Sequence, residues 1–214
     1  MRFFLLAQGP AMLKTAGRTG FVEGVLLDSH ALKRSGRDTT LMLQEAHELG
    51  FTFVGAKADA IDAIAITRQA QDLLYAVQRP FTLFMPMTLE SLKAVRSVTA
   101  LGVTPGISYV CTVAQGLVAA RAGAHYILLD DKRLGEYGLD VVSVVKAMYD
   151  AFSVSQLSTK ILVEGMMTAD CVGKLAVSGA YGIISVFDVL TQLAYHPVTD
   201  LSLEMMLMDA KNQH

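Results

Sequence analysis

The chain has 214 residues, of which 52% are hydrophobic and 18% are charged, and its formal net charge is -2. These values describe one globular domain, covering residues 1–214, that can bury a large core. Acidic side chains slightly outnumber basic ones, which argues against a nucleic-acid-binding surface. No apolar stretch approaches the roughly 20 residues that span a bilayer, and the two cysteines form no metal or disulfide pattern. We therefore expect a cytoplasmic protein with no nucleic-acid or membrane partner.

Eight short apolar runs follow one another along the chain, with helix-like segments between them. The runs cover residues 2–7, 24–27, 51–56, 81–85, 102–109, 126–129, 161–163 and 182–186. Apolar and polar residues do not alternate cleanly within these runs, which is typical of parallel strands covered on both faces. Helix-entry residues stand before four of the intervening segments, at Asp59, Thr88, Thr168 and Asp188.

Eight βα units in 214 residues predict an α/β fold, a single (β/α)8 TIM barrel near the lower size limit of that architecture. A doubly wound sheet shares the same alternation. Against it, the first run is followed by Gln8-Gly9-Pro10-Ala11 and not by the G-x-G-x-x-G of dinucleotide-binding folds. Pro105 removes a backbone donor from the fifth run, where we expect a bulge or a short strand.

Residues 199–212 predict one additional C-terminal helix. Its apolar side chains give more surface than a free tail should show; they are Leu201, Leu203, Met205, Met206 and Met208. Two explanations stay open, because the helix can pack against its own barrel or against a neighbouring subunit.

Three stretches make the chain resemble the short-chain transaldolases and fructose-6-phosphate aldolases. They are residues 114–126, the turn Met85-Pro86-Met87-Thr88, and Val186-Phe187-Asp188-Val189 with Tyr195-His196-Pro197. The likeness runs nearly end to end, but its matches are mostly packing and turn positions. The resemblance implies a sugar-phosphate substrate, carbon–carbon bond cleavage or transfer without an added cofactor, and pentameric rings or decamers assembled through the C-terminal helix.

The resemblance also implies a Schiff-base lysine on strand 4, where this chain has Phe84. A primary amine is needed because it condenses with a ketose carbonyl and then accepts electrons during cleavage, which a phenyl ring cannot do. Other positions of the family site differ as well. Leu6 replaces a strand-1 aspartate, Asp28 an asparagine, Gly55 a glutamine and Asp130 a strand-6 tyrosine.

Lys57 is the replacement with the clearest chemical consequence. Alternate side chains of a strand share a face, so Lys57 faces the barrel interior if Gly55 does. A lysine at this strand end enters the cavity from the strand next to the one that carries the family lysine. We hypothesise that Lys57 is a relocated Schiff-base nucleophile, with Asp130 or Asp28 as proton shuttle. Two simpler roles stay open, a snorkelling lysine at a strand end or a partner of Asp59.

Carboxylates form a second constellation at the predicted carboxyl ends of the strands, where barrel enzymes keep their chemistry; they are Asp28, Asp130, Asp131 and Glu164. Two of them could shuttle protons in an epimerase or isomerase, and with His30 they could hold a divalent cation. The spacing is not diagnostic, and we expect no metal. Asp28 could instead cap the next helix, and Glu164 could point outward.

Four residues are candidates for substrate binding. The resemblance implies a phosphate role for Arg133 and matches Ser108 to a strand-5 threonine, while Lys132 adds charge. The family's phosphate-binding serine aligns with Gly165, so one ligand is missing. Alternatively, Arg133 and Lys132 simply pair with neighbouring aspartates. Three functions stay open: an aldolase or transaldolase-type enzyme, an acid/base epimerase or isomerase, and a ring-forming member without catalysis.

Overall fold

The computed structural model describes residues 1–212, except the side chains of His30 and of residues 209–212, and its centre is a closed barrel of parallel strands. The strands are β1 Arg2–Ala7, β2 Gly24–Leu27, β3 Phe53–Lys57, β4 Thr82–Pro86, β5 Thr104–Ser108, β6 Tyr126–Asp130, β7 Lys160–Glu164 and β8 Gly182–Ser185. The helices are α1 Pro10–Gly17, α2 Ser29–Arg34, α3 Thr39–Glu48, α4 Ala63–Val77, α5 Leu89–Ala100, α6 Val113–Ala122, α7 Asp131–Glu136, α8 Val141–Val154, α9 Ala169–Val177, α10 Phe187–Gln192 and α11 Pro197–Asn212.

Each strand pairs with its neighbours in sequence order, and β1 pairs with β8 to close the barrel. The (β/α)8 prediction is therefore confirmed, and the doubly wound alternative is wrong. All strands run in the same direction, so their carboxyl ends meet at one rim, which is the edge where TIM-barrel enzymes keep their chemistry.

Alternation along the strands divides the core into two clusters. The inner cluster fills the barrel and consists of Phe4, Leu26, Phe53, Phe84, Tyr126, Leu128, Leu162 and Ile184, with Leu6 and Tyr181 packed against it. The outer cluster lies between the strands and the surrounding helices and includes the intervening strand residues, such as Leu5, Leu83 and Val163. The lower part of the barrel is therefore a packed apolar core, and polar side chains enter only near its ends.

Two of the four predicted helix entries are confirmed. Thr88 and Thr168 cap α5 and α9, and each side chain accepts a hydrogen bond from a backbone N–H in the first turn. Asp59 is not a cap, because Asp62 takes that role for α4. Helix α10 begins one residue before Asp188. Both errors shift the start of a helix without changing the order of the elements.

Pro105 does not interrupt β5. β5 keeps a continuous register with β4 from Thr104 to Ser108, and its five residues match the length of β3, β4, β6 and β7. The expected bulge or shortening is wrong because proline removes only its own donor. Its carbonyl still accepts the N–H of His125 at 2.9 Å.

Helix α11 presents its apolar residues to solvent. Every described side chain from Ala194 to Met208 is exposed, so the explanation that this helix packs on its own barrel is wrong for these residues. Among the described residues, no helix has both the length and the apolar character needed to cross a membrane.

Candidate active site at the carboxyl rim of the barrel

Lys57 and Glu164 form a buried ion pair across the barrel. The Lys57 Nζ atom lies 2.6 Å from Glu164 Oε1, and both side chains are only 10% exposed. Lys57 ends β3 and Glu164 ends β7, which stand four places apart in the ring of eight strands and so face each other. Lys57 therefore points into the barrel, as the alternation predicted, and its partner is Glu164 and not Asp59. Asp59 pairs with Lys33 at 2.8 Å.

Apolar side chains fill the barrel below Lys57. Gly55 lies two residues before Lys57 on the same face, and a Cβ atom there would stand 3.3–3.4 Å from Leu26, Phe53 and Phe84. These three side chains therefore occupy the level below the amine. Ser29, which is fully buried, donates its hydroxyl to the Lys57 carbonyl at 2.7 Å and ties the end of β3 to the start of α2.

Glu164 has an unusual protonation environment. Burial raises its pKa, Lys57 opposes this through charge attraction and a hydrogen bond, and the charges of Asp130 and Asp28 add to the rise. Its second oxygen, Oε2, is buried and has no hydrogen-bond partner among the described residues. The raised pKa makes this carboxylate a better proton acceptor than an exposed glutamate, and its Oε2 atom can accept a further hydrogen bond.

Asp28 and Asp130 stand at the same rim and cap helices. Asp28 Oδ1 accepts the N–H of Ala31 at 3.0 Å, and Asp130 Oδ1 accepts the N–H of Arg133 at 3.1 Å. The capping role considered for Asp28 is confirmed. Asp130 pairs with Glu164 in the register of β6 and β7, Asp28 stands between β2 and α2, and the charges of both aspartates act on Glu164.

Arg133 is oriented by two neighbours. Its Nε atom lies 3.2 Å from Asp130 Oδ2, and its guanidinium carbon lies 4.7 Å from the centre of the Tyr109 ring. The expected pairing with a neighbouring aspartate is confirmed for Arg133. Lys132 is 82% exposed and lies 3.9 Å from Glu136, so it does not pair with an aspartate.

Ser108 and Gly165 complete the predicted set at this rim. Ser108 is buried and donates its hydroxyl to the Met85 carbonyl at 3.2 Å. A Cβ atom at Gly165 would stand 2.8 Å from Asp131 Cβ, so Asp131 occupies the space next to this glycine. Burial, together with the charges of Asp130 and a more distant aspartate, raises the pKa of Asp131.

Phe84 lies inside the barrel, where it is 1% exposed and packs in the inner apolar cluster. Its backbone pairs with Lys57 on β3 and with Gly106 on β5, and the ring covers Gly106. The ring thus fills the interior beside the strand that supplies the amine.

Metal binding has no structural support in the described part of the chain, where no cluster of three or more His, Cys, Asp or Glu residues could hold an ion. The side chain of His30, which the sequence suggested as a ligand, lies outside the described residues.

Sequence reasoning identified Lys57 but assigned Glu164 no definite role. The three apolar residues that precede Glu164 show no alternation, so the sequence alone does not say which way it points. Glu164 lies two residues after Leu162, which faces the barrel interior, and this spacing is the signal that could have predicted the inward direction of Glu164.

Comparisons with solved structures agree with this architecture. The chain superposes with a TM-score of 0.62 and 13% identity on the crystal structure of a candidate fructose-1,6-biphosphate aldolase from Coccidioides immitis, over 94% of this chain and 81% of that one. It also matches a designed cube-shaped protein cage built by fusing symmetric oligomeric domains, with a TM-score of 0.64, 12% identity and coverage of 99% and 77%. At such identities the likeness supports the fold alone.

Sequence relatives identify the family. No family model matches the chain. It is 30% identical to a probable transaldolase of Halalkalibacterium halodurans over 100% of both chains. It is also 31% identical to probable transaldolase 2 of Bacillus cereus, over 98% of this chain and 97% of the relative. With identity at this level along its full length, the chain belongs to the transaldolase family.

Proposed function

We propose that this protein makes or breaks a carbon–carbon bond in a ketose phosphate through a Schiff base on Lys57. The observation that carries the proposal is the buried Lys57–Glu164 pair, which brings an amine and a proton acceptor to 2.6 Å at the rim. The pair needs no cofactor for this chemistry, since the imine itself serves as the electron sink.

Glu164 supplies the proton transfers that imine formation requires. A protonated lysine is not a nucleophile, so the Nζ proton must leave before attack, and Glu164 Oε1 is the nearest acceptor. The raised pKa of Glu164 favours this transfer. The free amine then adds to the ketose carbonyl. The resulting carbinolamine loses its hydroxyl as water with the proton that Glu164 returns.

Carbon–carbon cleavage follows from the iminium ion. The scissile bond joins the carbon next to the iminium carbon to a carbon that carries a hydroxyl. A base removes the proton of that hydroxyl, its carbon becomes the aldehyde carbon, and the electrons of the broken bond move towards the iminium to form an enamine. Asp28 and Asp130 are the candidate bases, because both stand at the rim close enough to influence Glu164. In an aldolase, protonation and hydrolysis of the enamine release the second product. In a transaldolase, the enamine attacks a new aldehyde, and hydrolysis of the resulting iminium ion releases the new ketose and regenerates Lys57.

For the substrate phosphate we propose Arg133 as the main ligand. Asp130 and Tyr109 orient its guanidinium, and its fork of donors matches phosphate oxygens. We place Lys132, Ser108 and the backbone at Gly165 in the same binding region, with Lys132 contributing charge from its exposed position. This assignment extends the family's substrate class to the residues that this chain retains.

Borohydride trapping tests the imine directly. Protein incubated with fructose 6-phosphate or dihydroxyacetone and then reduced should gain mass, because reduction converts the imine into a stable secondary amine that keeps the carbon chain of the bound ketose. The adduct should lie on the peptide that contains Lys57. Lys57→Met should abolish the adduct. Lys33→Met is the matched control, because it removes a lysine whose side chain is 62% exposed and leaves trapping intact. Absence of an adduct with every ketose and aldehyde tried would refute the imine mechanism.

An acid/base epimerase or isomerase is the second candidate. It is favoured by the three carboxylates at the rim, since one with a raised pKa beside two others can move protons without an imine. In that case wild-type protein in deuterium oxide should exchange label into a sugar phosphate, and Asp28→Asn or Asp130→Asn should slow the exchange. No exchange by the wild type would remove this candidate.

For assembly we propose a homo-oligomer, a pentamer or decamer, that covers α11. The apolar side chains of this helix are 49–64% exposed, including Leu203, Leu201 and Met208, and a second subunit would bury them. A ring without catalysis is the outcome if trapping and exchange both fail. We further propose a cytoplasmic location, consistent with the free thiols of Cys111 and Cys171.

A further inference from the structure

Tyr109 departs from the strand geometry that precedes it. Ser108 ends β5 and faces the barrel interior, so alternation would turn the next side chain towards the helices. Tyr109 instead adopts a left-handed conformation with φ of 60°, which is uncommon for a residue with a bulky side chain. Its ring lies 4.7 Å from the guanidinium carbon of Arg133. The unusual backbone therefore accompanies a specific contact with a charged residue at the rim.

The contact leaves Arg133 prepared for a ligand. Asp130 attracts the Nε side of the guanidinium at 3.2 Å, and the guanidinium carbon lies over the face of the tyrosine ring. Neither Nη group donates a hydrogen bond to a described residue, and the side chain is 60% exposed, so both groups are available to a ligand from solution. Without the ring, an exposed arginine has many rotamers to lose on binding an anion. The contacts with Tyr109 and Asp130 restrict that freedom before the ligand arrives.

We infer that Tyr109 is a positioning residue that holds Arg133 for the substrate phosphate and so favours phosphorylated over unphosphorylated ketoses. The inference rests on the proposed function, and it adds a residue to which neither the resemblance nor the relatives assign a role. Tyr109 need not touch the substrate, since it acts through the arginine. Its contribution should therefore appear in the binding of phosphate and not in the chemical step.

Calorimetric titration with inorganic phosphate tests the inference without requiring turnover. Wild type should bind phosphate, and Arg133→Met should abolish binding. Tyr109→Leu, which keeps bulk but removes the π face, should weaken binding about two- to fivefold. Tyr109→Phe keeps the ring and should bind like wild type. Tyr75→Leu is the matched control, because Tyr75 is 83% exposed on α4 and away from the rim.

Steady-state kinetics supply the second readout. Tyr109→Leu should raise KM for fructose 6-phosphate by the same factor, with kcat and the KM for fructose unchanged. Equal phosphate affinity of Tyr109→Leu and wild type would overturn the inference, and so would phosphate binding that survives Arg133→Met. If the predicted phosphate pattern appears but borohydride traps no adduct, the imine proposal fails while the role of Tyr109 stands.

Discussion

Removing the Lys57 amine should cost stability in a way that depends on pH. In Lys57→Met the Glu164 carboxyl stays buried and loses the two interactions with Lys57 that lower its pKa, while the charges of Asp28 and Asp130 remain. At 2.6 Å the lost attraction is about 6 kcal/mol for an effective dielectric constant of about 20. Regained solvation and relaxation offset part of it, and breaking a buried pair typically costs about 3–5 kcal/mol.

Proton uptake limits this cost. The ordinary pKa of a glutamate is 4.5, so protonating the stranded carboxyl at pH 8 costs at most about 4.8 kcal/mol, and at pH 5 only about 0.7 kcal/mol. A folded-state pKa above the unfolded value means that the native state binds more protons. Stability is therefore greatest below the unfolded pKa and falls as pH rises through the folded pKa. Relative to wild type, Lys57→Met should recover up to about 4 kcal/mol between pH 8 and pH 5.

Urea unfolding followed by circular dichroism at pH 5, 6, 7 and 8 measures this difference. The chain contains no tryptophan, so far-ultraviolet dichroism is preferable to fluorescence. The double variant Lys57→Met/Glu164→Gln should lose the pH dependence and be at least as stable at pH 8 as Lys57→Met alone. Lys146→Met is the control, since its pair with Asp150 is more than half exposed and should contribute under about 1 kcal/mol at every pH.

The reasoning would be refuted by a particular result. If Lys57→Met loses less than about 1 kcal/mol at pH 8 and follows the wild-type pH profile, the amine is not desolvated. An amine in water has no environment that prepares it for imine formation, and the catalytic proposal would lose its basis. All samples should share one protein concentration, because subunit association would otherwise add its own contribution to the measured stability.

Three further changes test other parts of the structure. Gly106→Ala should destabilise the protein by about 1–3 kcal/mol in urea unfolding, because a Cβ atom there would lie 2.5 Å from the Phe84 ring; a neutral result would mean that the ring moves freely. Ser29→Ala should cost about 1–2 kcal/mol by leaving the buried Lys57 carbonyl without its hydroxyl donor, and an unchanged unfolding midpoint would count against that tie. Deleting the residues after Pro197 should reduce the number of subunits per particle, calculated from the mass measured by light scattering, whereas an unchanged number of subunits would contradict a subunit contact through α11.

The barrel could be predicted because each strand and helix leaves a recognisable pattern in its own stretch of the sequence. Each strand covered on both faces leaves a short apolar run, and eight such runs with helix entries between them leave few alternatives. The inward direction of Lys57 also followed from a local rule, since it shares a face with Gly55. The cap at Asp62 was missed because Asp59 offers the same side-chain chemistry three residues earlier.

The partner of Lys57 could not be predicted by the same means. Glu164 lies 107 residues away, and the two meet because closing eight strands into a ring sets β3 opposite β7. Sequence spacing does not encode that distance. The direction of Glu164 was also ambiguous, because the run before it is apolar on both faces. The contact of Tyr109 with Arg133 depends on the left-handed backbone conformation of Tyr109 at the end of β5. No sequence pattern in the chain predicts that conformation.

A buried ion pair is weak evidence for stability, since apolar side chains of similar size often do as well or better. The inner cluster shows that this barrel can be filled by apolar residues, and Phe84 fills the interior next to Lys57. A pair that contributed only to packing would not require a buried Glu164 oxygen that lacks a hydrogen-bond partner among the described residues. It would also not require two further aspartates whose charges disfavour the negative charge of Glu164. These features oppose stability and favour proton transfer, and they stand at the rim where barrel enzymes act. They are the structural basis of our proposal that Lys57 acts as a relocated amine with its own acid and base, and a non-catalytic pair that only fills the barrel does not require them.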